Sequence, residues 1–186
     1  IARRQRQMCI RDRTYSQSFF DGKMQNVFFA KDYVNHPNIR QTDQSTVTGS
    51  DKVQGSTTKN YFGYGTGLRY MFFDPLAVKV SYEHSVRLPI ARELLGNGTT
   101  IYANVALKPE KSNNVNLALF GTWHPAGRHT IYYEANGFLR YVDNYIQTSV
   151  IEKEGMMQFV NDPAVHIKGV EGEIRYDWDG RLQLMA

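Results

Sequence analysis

Four glutamates, Glu83, Glu134, Glu171 and Glu173, are the side chains best suited by type to chemistry. A pair of carboxylates, one protonated and one ionised, is the machinery of glycoside hydrolysis. Each of the four, however, sits where charged and apolar residues alternate. A wetted strand face accounts for such acids without catalysis. Five histidines, His36, His84, His124, His129 and His166, show no zinc-ligand spacing. The nearest pair, His124 and His129, brackets the turn "HPAGR". "GYGTG" (Gly63–Gly67) lacks the Lys-Ser/Thr of a phosphate loop and lies in an alternating stretch. Asn97-Gly98-Thr99 matches a glycosylation sequon, a short pattern that by itself says little. The residues thus point to a protein that is not an enzyme, with no cofactor and no metal site.

The N-terminus reads differently. "RRQRQMCIRDR" (Arg3–Arg13) holds five arginines, one acid and the chain's only cysteine, Cys9. A basic arm suits nucleic acid or an anionic membrane. A secretory signal needs an apolar stretch of about 7–15 residues after its basic start. Here "TYSQSFF" follows, polar and short. Read back into codons, the string resembles, without a mismatch, a transposase adapter used in preparing sequencing libraries. Residues 1–13 are therefore expected to be adapter-derived, non-native and disordered, and the protein's own domain to span 14–186. The whole chain carries 22 basic and 18 acidic residues; without that segment 17 of each remain. The basic balance is then no argument for a nucleic-acid partner. The cysteine count falls to zero, which excludes a disulfide, a thiolate metal site and a cysteine nucleophile.

The elements that position these groups show in the alternation. Mean hydropathy is −0.49, yet the chain has 12 Tyr and 10 Phe. No run approaches ~18 apolar residues, so no transmembrane helix is present in the sequence, whereas a membrane-crossing strand leaves only a weak trace. In "LAVKVSYE" (Leu76–Glu83) Leu76, Val78, Val80 and Tyr82 oppose Ala77, Lys79, Ser81 and Glu83. In "VEGEIRYDW" (Val170–Trp178) Val170, Ile174, Tyr176 and Trp178 oppose Glu171, Glu173, Arg175 and Asp177. Residues 130–141 and 60–72 repeat the pattern. The spacing predicts about eight strands: 15–20, 24–34, 60–73, 76–86, 110–123, 128–148, 157–178 and 181–186. Tight turns at 20–23, 73–75, 124–128 and 178–181 carry Asp-Gly and Pro-Gly chemistry. Long connections at 35–59, 87–107 and 149–157 alternate with them. Two architectures remain on periodicity alone, an outer-membrane barrel and a soluble β-sandwich with one wet face. The turn asymmetry, and the aromatics gathered near turns (Phe72, Phe73, Trp123, Trp178), favour the barrel.

Three motifs then carry a resemblance. "SYEHSVRLPIARELLG" (Ser81–Gly96) resembles the strand-to-loop segment of TonB-dependent outer-membrane receptors, through Arg87, Pro89, Glu93 and Leu94. "NVALKPEKSNNVNLAL" (Asn104–Leu119) is similar to the same family's Asn-x-x-Leu-Lys-Pro-Glu-x-Ser, through Asn104, Leu107, Lys108, Pro109, Glu110 and Ser112. "FVNDPAVHIKGVEGEIRY" (Phe159–Tyr176) resembles its aromatic-x-Asn followed by Ile-x-Gly-Val-Glu, through Asn161, Ile167, Gly169, Val170 and Glu171. The resemblance covers 14–186.

What the resemblance implies is an all-β chain, an antiparallel up-and-down meander of about eight strands. It would be an open piece of a transmembrane barrel, from the C-terminal half and without the plug. The family's barrels have about 22 strands and a plugged lumen. It also implies uptake of a bulky, scarce nutrient of the siderophore, haem, cobalamin or glycan class across a Gram-negative outer membrane. The implied partners are outer-membrane lipid, the TonB complex acting through the plug, and a small-molecule or oligosaccharide ligand, with no nucleic acid. The motif residues are expected to be structural, at the rim. Arg87, Glu110 and Glu171 would sit near strand ends in charge pairs, and Gly169 would mark a bulge or a close backbone approach. Val78, Val80, Tyr82, Ile131, Leu139, Ile174 and Trp178 are expected on the convex, lipid-facing side. Lys79, Glu83, Glu134, Arg140, Glu173 and Arg175 are expected on the concave side. A passive porin-like barrel and a soluble carbohydrate-binding sandwich are the alternatives.

Overall fold

The structure is a computed structural model. It describes residues 5–40, 54–56, 59–97, 99–151 and 155–186, with side chains over 10–34, 59–97, 99–151 and 155–186. The greater part of the 35–59 connection, residues 152–154 of the 149–157 connection, Gly98 of the sequon and the His36 side chain lie outside what is described. The elements are β1 (Gln5–Phe19), β2 (Met24–Arg40), β3 (Gln54–Ser56), β4 (Lys59–Phe73), β5 (Leu76–Arg87), α1 (Ala91–Leu95), β6 (Ile101–Tyr102), β7 (Glu110–Trp123), β8 (His129–Ile151), β9 (Met156–Trp178) and β10 (Leu182–Met185).

Eight of these form one antiparallel sheet in the order β1-β2-β4-β5-β7-β8-β9-β10, with β1 and β10 as open edges. β3 pairs with the end of β2, and β6 runs parallel to β9. Both of these short strands lie in long connections. The tight turns use the left-handed backbone that such hairpins demand. Asp179 and Gly180 have φ of 53° and 69°, and Ala126 and Gly127 have 58° and 70°, which lets the chain reverse over a few residues.

Cross-strand register shows why this sequence makes a wall with two unlike faces. On one face Leu68, Val80, Leu117, Gly137 and Val170 stand in one row. The next row is Tyr70, Val78, Leu119, Ala135 and Gly172. Toward the long loops comes Thr66, Tyr82, Val115, Leu139 and Lys168, and then Tyr64, His84, Asn113, Tyr141 and His166. Apolar character therefore ends at a line of tyrosine, histidine and asparagine. At the tight-turn end it is bounded by Trp123, Tyr176 and Trp178 beside Ile131 and His129. Eight residue steps separate Ile131 from Leu139, about 27 Å at ~3.4 Å per residue and about 21 Å after a tilt of about 40°. That approaches the apolar band of about 25 Å of an outer-membrane barrel.

The opposite face reads Gln25, Arg69, Lys79, Ala118, Asn136 and Glu171 in one row, and Phe29, Gly65, Glu83, Asn114, Arg140 and Ile167 in another. It is the concave one, since the wall's clefts open on it, lined by Lys79, Ser81, Asn116, Tyr132 and Glu134. The expected division of the two faces thus holds.

Among the described residues nothing covers the apolar face. Leu139 is 58% exposed and Val170 84%, and all the described strands belong to one sheet. A sandwich is excluded, because its second sheet would have to lie there.

The N-terminal segment departs from expectation. Gln5–Arg13 is not disordered; it continues β1 and pairs with Ala30–Asn38 of β2. The physical reason is that a sheet edge presents backbone donors and acceptors to any chain alongside it, whatever its side chains. Elsewhere the predicted strands are present, and β2 and β8 run further than expected, to Arg40 and Ile151.

Candidate functional site

Proline aside, seven apolar side chains are buried among the described residues, and six of them, Val86, Leu88, Ile101, Leu107, Val142 and Ile146, gather at the long-loop end. There the connection from β5 to β7 folds back as a cap. Pro89 has no amide for a ladder, and β5 stops two residues before it, at Arg87. α1 follows. Glu93 in its first turn accepts a hydrogen bond from the Ile90 amide at 2.8 Å, one half of a capping arrangement. Gly96, at φ 64°, ends the helix and donates to the Arg92 carbonyl at 2.9 Å. A side chain there would be strained and would run into the Ile101 carbonyl.

Asn97 then shapes the next turn. Its Oδ1 accepts from the amides of Thr99, Thr100 and Ile101 at 3.0, 2.9 and 2.8 Å. This delivers β6 to β9. The Met157 amide donates to the Thr100 carbonyl at 2.9 Å, and Gln158 Nε2 to the Ala103 carbonyl at 2.9 Å.

Two asparagines pin the cap to the wall. Asn104 Nδ2 donates to the Phe159 carbonyl at 2.8 Å, while its Oδ1 accepts from the Ala106 amide at 3.1 Å. Asn161 Oδ1 accepts from the Lys108 amide at 2.8 Å. Its Nδ2 donates to the carbonyls of Lys108 and Asn144 at 3.0 and 2.8 Å. Asn144 sits at φ 54° opposite Pro163, where the β8–β9 ladder skips one pair.

At the centre is Arg87. Its Nε and Nη2 donate to the two carboxylate oxygens of Glu110 at 2.6 and 2.8 Å. Its Nη1 donates to Glu93 Oε1 at 3.0 Å. Glu110 also accepts from the Ile146 amide at 2.7 Å. Both glutamates are buried, while Arg87 stays partly open to solvent. The network lies five residues past Tyr82, about 17 Å along the strand, and so outside the apolar band. Burial opposes the charge on Glu110, and the hydrogen bonds from Arg87 and the Ile146 amide outweigh it, holding the carboxyl below its ordinary range. Hydrogen bonds to Glu110, reinforced by Glu93, hold the Arg87 guanidinium above its own. The arrangement fixes geometry and offers no reacting group. Its acids are engaged, and among the described residues no group of His, Cys, Asp or Glu is placed to hold a metal.

A family model described as TonB dependent receptor-like, beta-barrel matches residues 14–186. The chain belongs to the TonB-dependent receptor β-barrel family. No curated protein matches it in sequence. Among solved structures it is similar to the Serratia marcescens hemophore receptor HasR, a double mutant in complex with its hemophore HasA and heme. The TM-score is 0.70 at 16% identity, over 95% of this chain and 32% of that one. It is likewise similar to the copper transporter OprC, with a TM-score of 0.74 at 16% identity, over 96% of this chain and 27% of that one. The chain thus spans less than a third of the proteins whose fold it shares.

Within this receptor-family wall the motif residues divide. Arg87, Glu93, Asn104, Leu107, Glu110 and Asn161 meet in the cap. Pro89 is buried there and Pro109 leads into β7. Ser112 is hydrogen-bonded to Ser85 at 2.7 Å on the adjoining strand. Two residues fall elsewhere. Glu171 is not at a strand end: it sits in mid-β9 on the concave face, opposite Asn136. Gly169 marks neither a bulge nor a backbone approach. It stands opposite Phe138, whose ring covers it, and a Cβ there would meet that ring at 2.5 Å. Sequence reasoning missed Asn97, Asn144, Gln158 and the Ile146 amide. The available signal was the density of asparagine and glutamine just past the apolar band, where side chains substitute for backbone partners.

Proposed function

We propose that the chain is part of a TonB-dependent transporter in the outer membrane of a Gram-negative bacterium, taking up a bulky, scarce nutrient. This segment supplies wall and extracellular rim. The observation that carries the reading is the uncovered apolar face, one strand-length tall and bounded by aromatics, backed by a polar concave face. Only lipid on one side and a wet lumen on the other suit such a wall. The long loops then face outward and the tight turns face the periplasm. The cap residues Arg87, Pro89, Glu93, Asn104, Leu107, Pro109, Glu110, Ser112 and Asn161 hold the rim, and Gly169 and Glu171 serve the wall. HasR takes part in a complex with a hemophore and heme, and OprC is a copper transporter. Cargoes so unlike on one barrel fold leave siderophore, haem, cobalamin, metal and glycan classes open for this chain.

The test uses the complete gene carrying this segment, expressed in a Gram-negative host. The product is expected in the outer-membrane fraction, with growth on a limiting nutrient lost when tonB is deleted. Uptake unaffected by that deletion would indicate a passive pore. Recovery of the product from the soluble fraction would sink the membrane reading altogether.

A further inference from the structure

One construction occurs twice on the concave face, once closed and once open. In the first, the Phe29 ring of β2 lies against Gly65 of β4, where a Cβ would run into it. Lys31, two residues on, places its Nζ over that ring at 4.8 Å and reaches Glu83 of β5 at 3.2 Å. In the second, the Phe138 ring of β8 lies against Gly169 of β9, where a Cβ would meet it at 2.5 Å. Arg140, again two residues on, holds its guanidinium over that ring at 5.2 Å. No acid closes this second tier. Among the described residues no carboxylate lies within ion-pairing distance of Arg140. Its cross-strand neighbours are Asn114 and Ile167. Arg140 is exposed, so an incoming group can reach it.

Each layer has a physical reason. With only hydrogen at position 169, the Phe138 ring can pack on the backbone of β9. A guanidinium stacked on that ring gives up rotamer freedom before any ligand arrives, and keeps its N–H edge free. That edge matches the paired oxygens of a carboxylate or a phosphate. The occupant follows from height. Arg140 is level with Leu139, at the outer end of the apolar band, and Val142, next on the same face, is already buried beneath the cap. In the barrel proposed above, the tier stands just inside the mouth, on the path of whatever enters from the long-loop end. We propose that Gly169, Phe138 and Arg140 form a subsite for an acidic oxygen group, carboxylate or phosphate, on the transported nutrient. Arg140 binds that group, and Phe138 and Gly169 are positioning residues. The proposal rests on the receptor reading above and narrows its cargo to molecules that carry such a group.

The experiment uses the full-length receptor, unmutated and as Arg140→Gln, Arg140→Lys, Phe138→Leu and Gly169→Ala. In detergent, modification of arginine by phenylglyoxal is followed by peptide mass spectrometry with succinate, inorganic phosphate or neutral glucose added. Arg181, exposed in a tight turn, is the internal control. Succinate or phosphate should slow modification of Arg140 several-fold at concentrations that leave Arg181 unaffected, and glucose should not. The more protective of the two anions tells a carboxylate from a phosphate. Phe138→Leu and Gly169→Ala should abolish protection while Arg140 stays reactive. In cells, at equal surface abundance, KM for the nutrient taken up with TonB should rise about tenfold in Arg140→Gln, the size of one charge-assisted hydrogen bond. Arg140→Lys should fall between. Arg140 lies on an exposed site, so its variants report even where Gly169→Ala fails to insert. Equal protection of Arg140 and Arg181, or an unchanged KM in Arg140→Gln, would overturn the subsite. Arg140 unreactive before any anion is added would also overturn it, by giving the partner to the receptor itself. Failure of the receptor reading is told apart, because the unmutated protein would then show no TonB dependence whatever the reagent finds at Arg140.

Discussion

In the wall, Val80, Leu117, Leu139, Val170 and Ile174 are all exposed, and the strands are joined mainly by their ladders, with a few polar side-chain contacts such as Lys31–Glu83 on the concave face. In the cap, a few paces further along the same strands, Leu88, Ile101, Leu107, Val142 and Ile146 are buried, and two buried glutamates share one arginine. In the membrane setting proposed above, the wall takes its apolar surroundings from the bilayer. The cap makes its own, as a water-soluble domain does. One sequence therefore follows two codes, and the boundary is the row of Tyr64, His84, Asn113, Tyr141 and His166.

The most drastic way to break the comparison is to take the bilayer away. Residues 14–186 expressed alone in plain buffer are expected to aggregate and to become dispersible only in detergent. The apolar face and two open edges would otherwise meet water. A soluble monomer with a cooperative melting transition, seen by sedimentation and calorimetry, would contradict the wall's dependence on lipid. Next in size is a single charge in the band. Leu117→Arg in the complete receptor should destabilise folding into vesicles by about 2–4 kcal/mol. Asn136→Arg, on the wet face opposite Glu171, should change it by less than about 0.5 kcal/mol. Urea titrations of the two variants give the contrast directly.

Arg87→Ala probes the cap. It leaves Glu93 and Glu110 buried without their cation. Removing one partner of a buried pair costs about 3–5 kcal/mol, and the partial exposure of Arg87 lowers this to about 2 kcal/mol. The loss should be local: the amides of Ile90 and Ile146 exchange faster, while wall amides such as Leu117 keep their protection. Acid gives the smallest effect. The Glu110 carboxyl is held below its unfolded value of about 4.3. Its contribution is present above that value and is lost as pH falls through the lower, folded one. Exchange at Ile146, corrected for the intrinsic pH dependence, should accelerate below about pH 4 and be flat above it. Exchange unchanged between about pH 4 and about pH 3 would show that the Glu110 carboxylate does not hold this amide.

The wall was legible because its code is local. A residue's face follows from its parity, so Val78 and Val80 could be assigned without knowing their neighbours. The ends were less so: past the apolar band polar residues alternate with polar residues, and the extensions of β2 and β8 left no periodic trace. The cap was legible only as a set of residue types. α1 has five residues and β6 two, too few for any period to show. Which acid Arg87 would meet, and that Asn161 would hold Lys108, depends on contacts 23 and 53 residues apart. The partner of Gly169 is likewise distant: the Phe138 ring lies across a ladder that no local pattern reveals.

The ladders of the wall join each strand only to the next. The cap does more. It leaves β5 at Arg87, holds the Ile146 amide of β8 through Glu110, and is stitched to β9 at Met157, Phe159 and Asn161. It therefore runs around the circumference as a hoop across four strands, and carries tension that ladders alone would take one rung at a time. A mouth bound in this way keeps its gauge along this arc. Any widening of the sheet at this end would fall on strands that the cap does not span.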